Sequence, residues 1–419
     1  MELFTLTPVH IGNGQEIQRS EFVVDDKVIK FYDIDEIVRY ILDNYNADSF
    51  KSFVEDKDNF SLEELVEHFK IDLTKFRLLK HYHVDDTLNT NKILEFINMN
   101  NRCYLPGTTI KGAIRTAVIY HLIKNHKLDQ LILSIKSFLV KMQKIMQDLK
   151  QIHKNNREFS KELRKVISNN FNNFSFIENS THFYYYNDAK YDIFKFLHIP
   201  DSEYINNNEL TIKKIKIKNI GQPRTVYAEC LKKDTKITFP GDIFIDKKSL
   251  DFSFDTISKE LKDRRLLDTL SEIFESSKSI LQYTNDFYQE LLDFEKEHYN
   301  HSINILNKGY LIRIGRFKGF FANTIAMLIE KEDKELFGRF FKLVAPKGYE
   351  DNPAKSLKLV GNSNDTMGWC SFVLDKSFDM SKSKNGKSEK KSKEIKSNDT
   401  QNEVTEEMLL KLQKKFKGK

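Results

Sequence analysis

Pro106-Gly107-Thr108-Thr109-Ile110-Lys111-Gly112-Ala113-Ile114-Arg115 reads as a turn running straight into a helix. The apolar spacing continues through Val118 and Ile119, and Thr108 or Thr109 is placed to cap the helix. Two glycines leave room for another backbone to approach, and free N–H groups at a helix start attract phosphate. Lys111 and Arg115, four apart, share one helix face. The stretch therefore predicts either a phosphate-binding cradle or an ordinary strand-to-helix turn with solvated cations.

Two further segments extend this pattern. Leu3-Phe4-Thr5-Leu6-Thr7-Pro8-Val9-His10 alternates like a half-buried strand and breaks at Ile11-Gly12-Asn13-Gly14, where Asn-Gly signals a turn. Far downstream, Tyr310-Leu311-Ile312-Arg313-Ile314-Gly315-Arg316-Phe317-Lys318-Gly319-Phe320-Phe321 sets three cations around two glycines among aromatics. Cations beside bare backbone and flat rings suit single-stranded nucleic acid.

In this order, and followed by Met367-Gly368-Trp369-Cys370, the motifs T-P-V-H-I-G-N-G, P-G-T-T-I-K-G-A-I-R and I-G-R-F-K-G resemble the RAMP superfamily of CRISPR-associated RNA-binding proteins. Within it they look like the Csm-type subunits of type III-A effector complexes that cap the 3′ end of the CRISPR RNA. The resemblance spans roughly residues 2 to 374. It implies CRISPR RNA and other Csm subunits as partners, with host nucleases as a further candidate partner.

Composition bounds the function separately. The 419 residues are 40% hydrophobic and 12% aromatic, which suits a globular chain of two or three domains. No run approaches the roughly 18 apolar residues of a membrane span, and no signal segment opens the sequence, so a cytoplasmic location is the expectation. Cys103, Cys230 and Cys370 are widely separated and odd in number, which points to reduced, buried thiols rather than a zinc site or disulfide framework. From Lys376 onward 13 lysines face seven acids; removing them from the 67 basic and 61 acidic residues leaves 54 of each. A neutral body carries nucleic acid on a local patch, not through a global field.

Elsewhere the chain alternates strands with helical inserts. Leu131, Ile135, Leu139, Met142, Ile145 and Leu149 mark amphipathic helix within 120–172, and Leu261, Leu267, Leu270, Ile273, Phe274, Ile280 and Leu281 do so within 256–298. Thr211-Ile212-Lys213-Lys214-Ile215-Lys216-Ile217-Lys218 alternates as a strand. With Gln222-Pro223-Arg224-Thr225 and a second strand from Val226 it predicts a hairpin, either a thumb on RNA or an edge guarded by lysines. Ser377 to Gln401 is a Lys/Ser/Asn/Glu run too poor in apolar residues to fold, and a short amphipathic helix is expected from Thr405.

Catalytic groups are sparse. His81-Tyr82-His83 with Asp85 and Asp86 has metal-binding residue types without a second cluster, and neither a metal nor a cofactor is expected. Asp25, Asp26, Asp33 and Asp35 read as a turn and a helix start. His10 is either a contact for RNA or, as in related RAMP endonucleases, a general base.

The expected fold is α+β: two RRM-like (ferredoxin-like) modules with helical insertions, spanning 1–180 and 181–375, and a flexible tail, 376–419. His10, the Gly107 loop and the Gly315 loop are expected to converge on one groove for single-stranded RNA. The candidate RNA-binding residues are His10, Gly12, Asn13, Gly14, Gly107, Thr108, Thr109, Lys111, Gly112, Arg115, Arg224, Arg313, Gly315, Arg316, Lys318 and Gly319. The function expected is a non-catalytic subunit that caps the 3′ end of CRISPR RNA and supports its maturation. An endonuclease using His10 and a purely structural subunit are the alternatives.

Overall fold

The computed structural model describes residues 1–57, 60–84, 88–152, 192–218, 224–258, 264–299, 309–344, 357–361 and 365–374. Expectations for Asp85, Asp86, the 222–223 turn and everything from 375 onward fall outside them.

The chain opens with β1 (Glu2–Thr5), β2 (Gly12–Gln18), β3 (Phe22–Asp25) and β4 (Val28–Tyr32). Asp26 takes φ 52° in the turn between β3 and β4, as its turn reading requires. Three helices follow: α1 (Ile34–Asn44), α2 (Ala47–Glu55) and α3 (Leu62–Phe69). The Asp33 carboxylate caps α1 by accepting from the Asp35 and Glu36 N–H groups, and Ser61 and Glu64 form a reciprocal capping box on α3. These helices bury Ile37, Ile41, Phe53, Leu62, Leu65 and Phe69 in a small core of their own.

The chain continues through β5 (Leu78–His83), β6 (Lys92–Phe96), β7 (Asn98–Met99) and β8 (Arg102–Cys103) into α4 (Gly107–Leu122) and α5 (Leu128–Ile152). Next come β9 (Leu197–His198), β10 (Leu210–Lys218), β11 (Arg224–Leu231), β12 (Lys236–Thr238) and β13 (Phe244–Ile245). The helices α6 (Lys247–Ser258), α7 (Arg264–Ile273) and α8 (Ser277–His298) precede β14 (Tyr310–Arg313). The helices α9 (Ala326–Glu332) and α10 (Lys334–Val344), then β15 (Leu357–Val360) and β16 (Trp369–Val373), complete the described elements.

Two sheets dominate. One has the order β12-β1-β16-β14, with every neighbour antiparallel. The other runs β15-β10-β11-β6-β2 and is antiparallel except where β11 meets β6. Strands from both sides of residue 180 share each sheet, and that expected boundary lies within residues outside the description. The predicted hairpin is present as β10–β11, with Ile217 opposite Arg224. The helical segments expected near 131–149 and 267–281 are α5, α7 and the start of α8. The mixed α+β class holds, and α4 and α8 pack together in the main core, where the Tyr288 hydroxyl donates to Ala113 O.

Candidate functional site

The exit of β1 and the downstream glycine loop meet directly. His10 O accepts a hydrogen bond from Arg316 N at 2.9 Å, and Gly315, at φ +91°, lies so close that an added Cβ would be 2.5 Å from the same oxygen. Only glycine fits that conformation and that contact. Gly368 N donates to Pro8 O and Ile314 N to Gly368 O, so residues 8–10, 314–316 and 368 form one stitched junction.

Beneath the junction lies one face of the five-stranded sheet. Phe317 inserts into a cluster formed by Leu94, Ile215, Ala228, Cys230, Val360 and Met367. Pairing register sets what else stands on this face. Ile217 lies opposite Arg224 on one side and Lys358 on the other, and alternation puts all three on the side that carries Ile215 and Val360. Arg224 is exposed and Lys358 half-buried.

The loop adds cations from above. Arg316 is exposed, its guanidinium 5.8 Å from the centre of the Phe317 ring. Lys318 is half-buried and has no ion pair among the described residues. Loss of water, with Arg313 nearby, brings its ammonium down to about 8. Lys358 is lowered by the same two causes in the same order. The sheet face thus carries Arg224 and Lys358 beside Ile217, and the loop carries Arg316 and Lys318 beside Phe317, a combination of residue types that suits a polyanion that also carries flat rings.

Arg313 does not belong to this surface, contrary to expectation. It is 2% exposed; its guanidinium donates to Glu295 Oε2 at 2.6 Å and to Met367 O at 2.8 Å, and lies 4.7 Å from the Trp369 ring centre. Burial pushes the Glu295 carboxyl up, against the opposing pull of Arg313. Gly319 sits beside this pair, an added Cβ falling 3.5 Å from Glu295 Oε1. The 313–319 segment therefore divides into a buried anchor, Arg313, and an outward pair, Arg316 and Lys318.

The Gly107 loop also departs from its cradle reading. Gly107 is buried, its N–H donates to Asp201 Oδ1 at 2.8 Å, and a Cβ there would overlap the carbonyl oxygen of Ile199. A carboxylate of the chain itself occupies the place a phosphate would take. Pro106 is the cap residue, Thr108 is exposed, and Thr109 N donates back to Pro106 O, so neither threonine caps α4. Arg115 pairs with Asp192 at 2.7 Å and lies 5.0 Å from the Phe194 ring centre. Desolvation, the leading cause, lowers the Lys111 ammonium, and Gly112 faces open space. Of the three segments expected to converge, the structure joins His10 with Gly315 and packs Gly107 against 199–201.

His10 is a buried core residue at the edge of the site. Nδ1 lies 2.7 Å from Glu229 O, and burial, the first cause, holds the imidazole down at about 4. Gly12, Asn13 and Gly14 form the start of β2, where pairing with β6 shifts register; Asn13 Nδ2 donates to Glu95 Oε2 at 2.6 Å. Sequence reasoning missed Lys358, whose place is visible only in the strand register, and Asp201 and Glu295, which neutralise the two expected anion contacts.

Comparison with known proteins agrees with this architecture. A family model described as the RAMP superfamily matches residues 2–322. A Methanocaldococcus jannaschii protein named CRISPR system Cms protein Csm5 is 24% identical over 358 residues, covering 78% of this chain and 73% of that protein. A Streptococcus thermophilus protein of the same name is 26% identical over 132 residues, 28% of this chain and 37% of that protein. Among solved structures, a chain of a Csm–crRNA–target RNA ternary complex of a type III-A CRISPR-Cas system is similar at TM-score 0.61 and 18% identity, over 88% of this chain and 98% of that one. The crystal structure of T. onnurineus Csm5 gives TM-score 0.56 and 16% identity, over 88% and 100%. At these identities the structural likeness is one of fold.

Proposed function

The chain belongs to the RAMP superfamily, and on that footing we propose that it is a non-catalytic RNA-binding subunit of a type III-A Csm effector complex. It holds the 3′ portion of CRISPR RNA, caps that end, supports its maturation, and docks on neighbouring Csm subunits in the cytoplasm. The names of the two curated relatives and the ternary complex that contains the structural neighbour support the assignment to such a complex. The observation that carries RNA binding is the pair of sheet cations, Arg224 and Lys358, together with the loop cations, Arg316 and Lys318, whose neighbour Phe317 packs on that same sheet face. These cations stand on a sheet face and a glycine loop, where a phosphate chain is reached without disturbing the core.

One observation weighs against the endonuclease alternative. His10, the candidate base, is 1% exposed, and burial holds its imidazole down at about 4, a poor match to acid–base work at neutral pH. We also read the two large sheets as the sheets of two RRM-like modules, each module drawing strands from both sides of residue 180 rather than from 1–180 or 181–375 alone. No helix among the described residues is long and apolar enough to cross a membrane.

The deciding experiment is fluorescence anisotropy with a labelled single-stranded RNA and the full chain. Binding should weaken steeply with salt and drop in Arg316→Ala/Lys318→Ala. Salt-independent binding, or equal binding by the variant, overturns the assignment.

A further inference from the structure

The His10 ring has one polar atom with nothing to do. Glu229 O, 2.7 Å from Nδ1, is a carbonyl and can only accept, so Nδ1 carries the proton and Nε2 presents a bare lone pair. Burial keeps the imidazole neutral at ordinary pH. Nε2 is buried and has no hydrogen-bond partner. Orphans of this kind are few in folded interiors, and each asks for a reason.

The surroundings of the ring show from where a partner would come. Phe96 and Phe317 stand beside it, at centroid distances of 6.3 and 5.5 Å, and offer no donor. On the side of Nε2 is Gly12: a methyl added there would sit 3.0 Å from the nitrogen. Gly12 begins the stretch Gly12-Asn13-Gly14, where the ladder with β6 is interrupted and Asn13 and Gly14 are exposed. At Gly12, therefore, no side chain stands against Nε2. Through the hydrogen bond between His10 O and Arg316 N, the same residue adjoins the cationic loop.

We propose that His10 Nε2 accepts a hydrogen bond from a ribose 2′-hydroxyl, so that the cationic face selects RNA over DNA. The proposal rests on the RNA-binding reading above and names the group that reading leaves open. Phosphate oxygens and base carbonyls only accept, so they cannot pair with a bare nitrogen. Base amines donate, but they change from one nucleotide to the next. The 2′-hydroxyl recurs at every RNA nucleotide, is small enough to enter beside a glycine, and is absent from DNA. Because Nε2 is buried, its access requires the Gly12–Gly14 backbone to move outward when RNA binds.

The test compares two oligonucleotides of one sequence, RNA and its 2′-fluoro analogue, which keeps an RNA-like sugar pucker and lacks the donor. With the full chain, the analogue should bind about fivefold more weakly, the worth of one neutral hydrogen bond. Gly12→Ala, which fills the approach to Nε2, and His10→Phe, which removes the acceptor, should bring RNA down to the level of the analogue. If His10→Phe fails to melt cooperatively, Gly12→Ala and the wild-type comparison decide. Equal wild-type affinity for both oligonucleotides, or a preference that survives Gly12→Ala, overturns the hydroxyl contact. If affinity in that case still falls in Arg316→Ala/Lys318→Ala, RNA binding stands without it. If neither oligonucleotide binds the wild type, both readings fall.

Discussion

Arg313 and Glu295 meet at 2.6 Å with each side chain only 2% exposed, a fully buried ion pair three residues away from the exposed cation Arg316. Removing one member of such a pair strands the other charge away from water. Arg313→Ala should therefore cost about 3 kcal/mol or more in stability. Thermal or urea melting would measure it, and a loss under about 1 kcal/mol would contradict the anchoring role assigned here.

Arg316→Ala/Lys318→Ala should behave in the opposite way. Its melting midpoint should not fall by more than about 2 °C, since Arg316 is exposed and burial works against the Lys318 charge. RNA affinity should drop, and the log–log salt slope should flatten by about 1.4, roughly 0.7 for each phosphate of a single strand left without its cation. An unchanged slope would assign these cations to protein contacts.

Lys318 also gives the site a pH signature. Its folded-state value of about 8 lies below the ordinary 10.5, so the free protein sheds this proton as pH rises through 8, whereas the unfolded chain keeps it. Stability from this group consequently rises between about pH 8 and 10.5. RNA binding favours the charged form, so affinity should fall from pH 7 to pH 9 with proton uptake on binding. In Lys318→Arg, which stays charged, that fall should vanish. Titration calorimetry in buffers of differing ionisation enthalpy would detect the proton.

Two glycines in α4 should respond with opposite signs. Gly107→Ala forces a methyl into the Ile199 and Pro200 carbonyls and should destabilise the fold. Gly112→Ala adds a methyl to open space inside a helix and should stabilise by about 0.5–1 kcal/mol. Denaturant midpoints would show both; destabilisation at 112 would mean that this face of α4 is covered.

What the sequence disclosed was mostly local. The β10–β11 hairpin, the Asp33 cap, the turn at Asp26 and the periodic helices α5 and α8 follow from spacing and turn chemistry within a few residues. The union of His10 with Gly315 was legible because both lie where a strand breaks at glycine. The remainder depends on partners remote in sequence. Asp201 neutralises the start of α4, Glu295 withdraws Arg313 from the surface, and Lys358 reaches the site through pairing of β15 with β10. Lys111, Arg115, Arg313 and Lys318 look alike in a sequence; only burial and counter-charge separate them.

The place of β1 between β12 and β16 bears on how the chain is born. Its first strand is an interior strand whose two neighbours are made later, one of them close to the end of the described residues. At roughly 5–20 residues per second of synthesis, β1 must wait on the order of tens of seconds for β16. Until then Leu3, which ends fully buried, has no finished sheet to enter. Such late closure makes folding slow and dependent on distant pairings. The ribosome must therefore make nearly the whole body before β1 has both of its neighbours, and a nascent chain cut short before β16 would leave an open sheet edge for chaperones to shield.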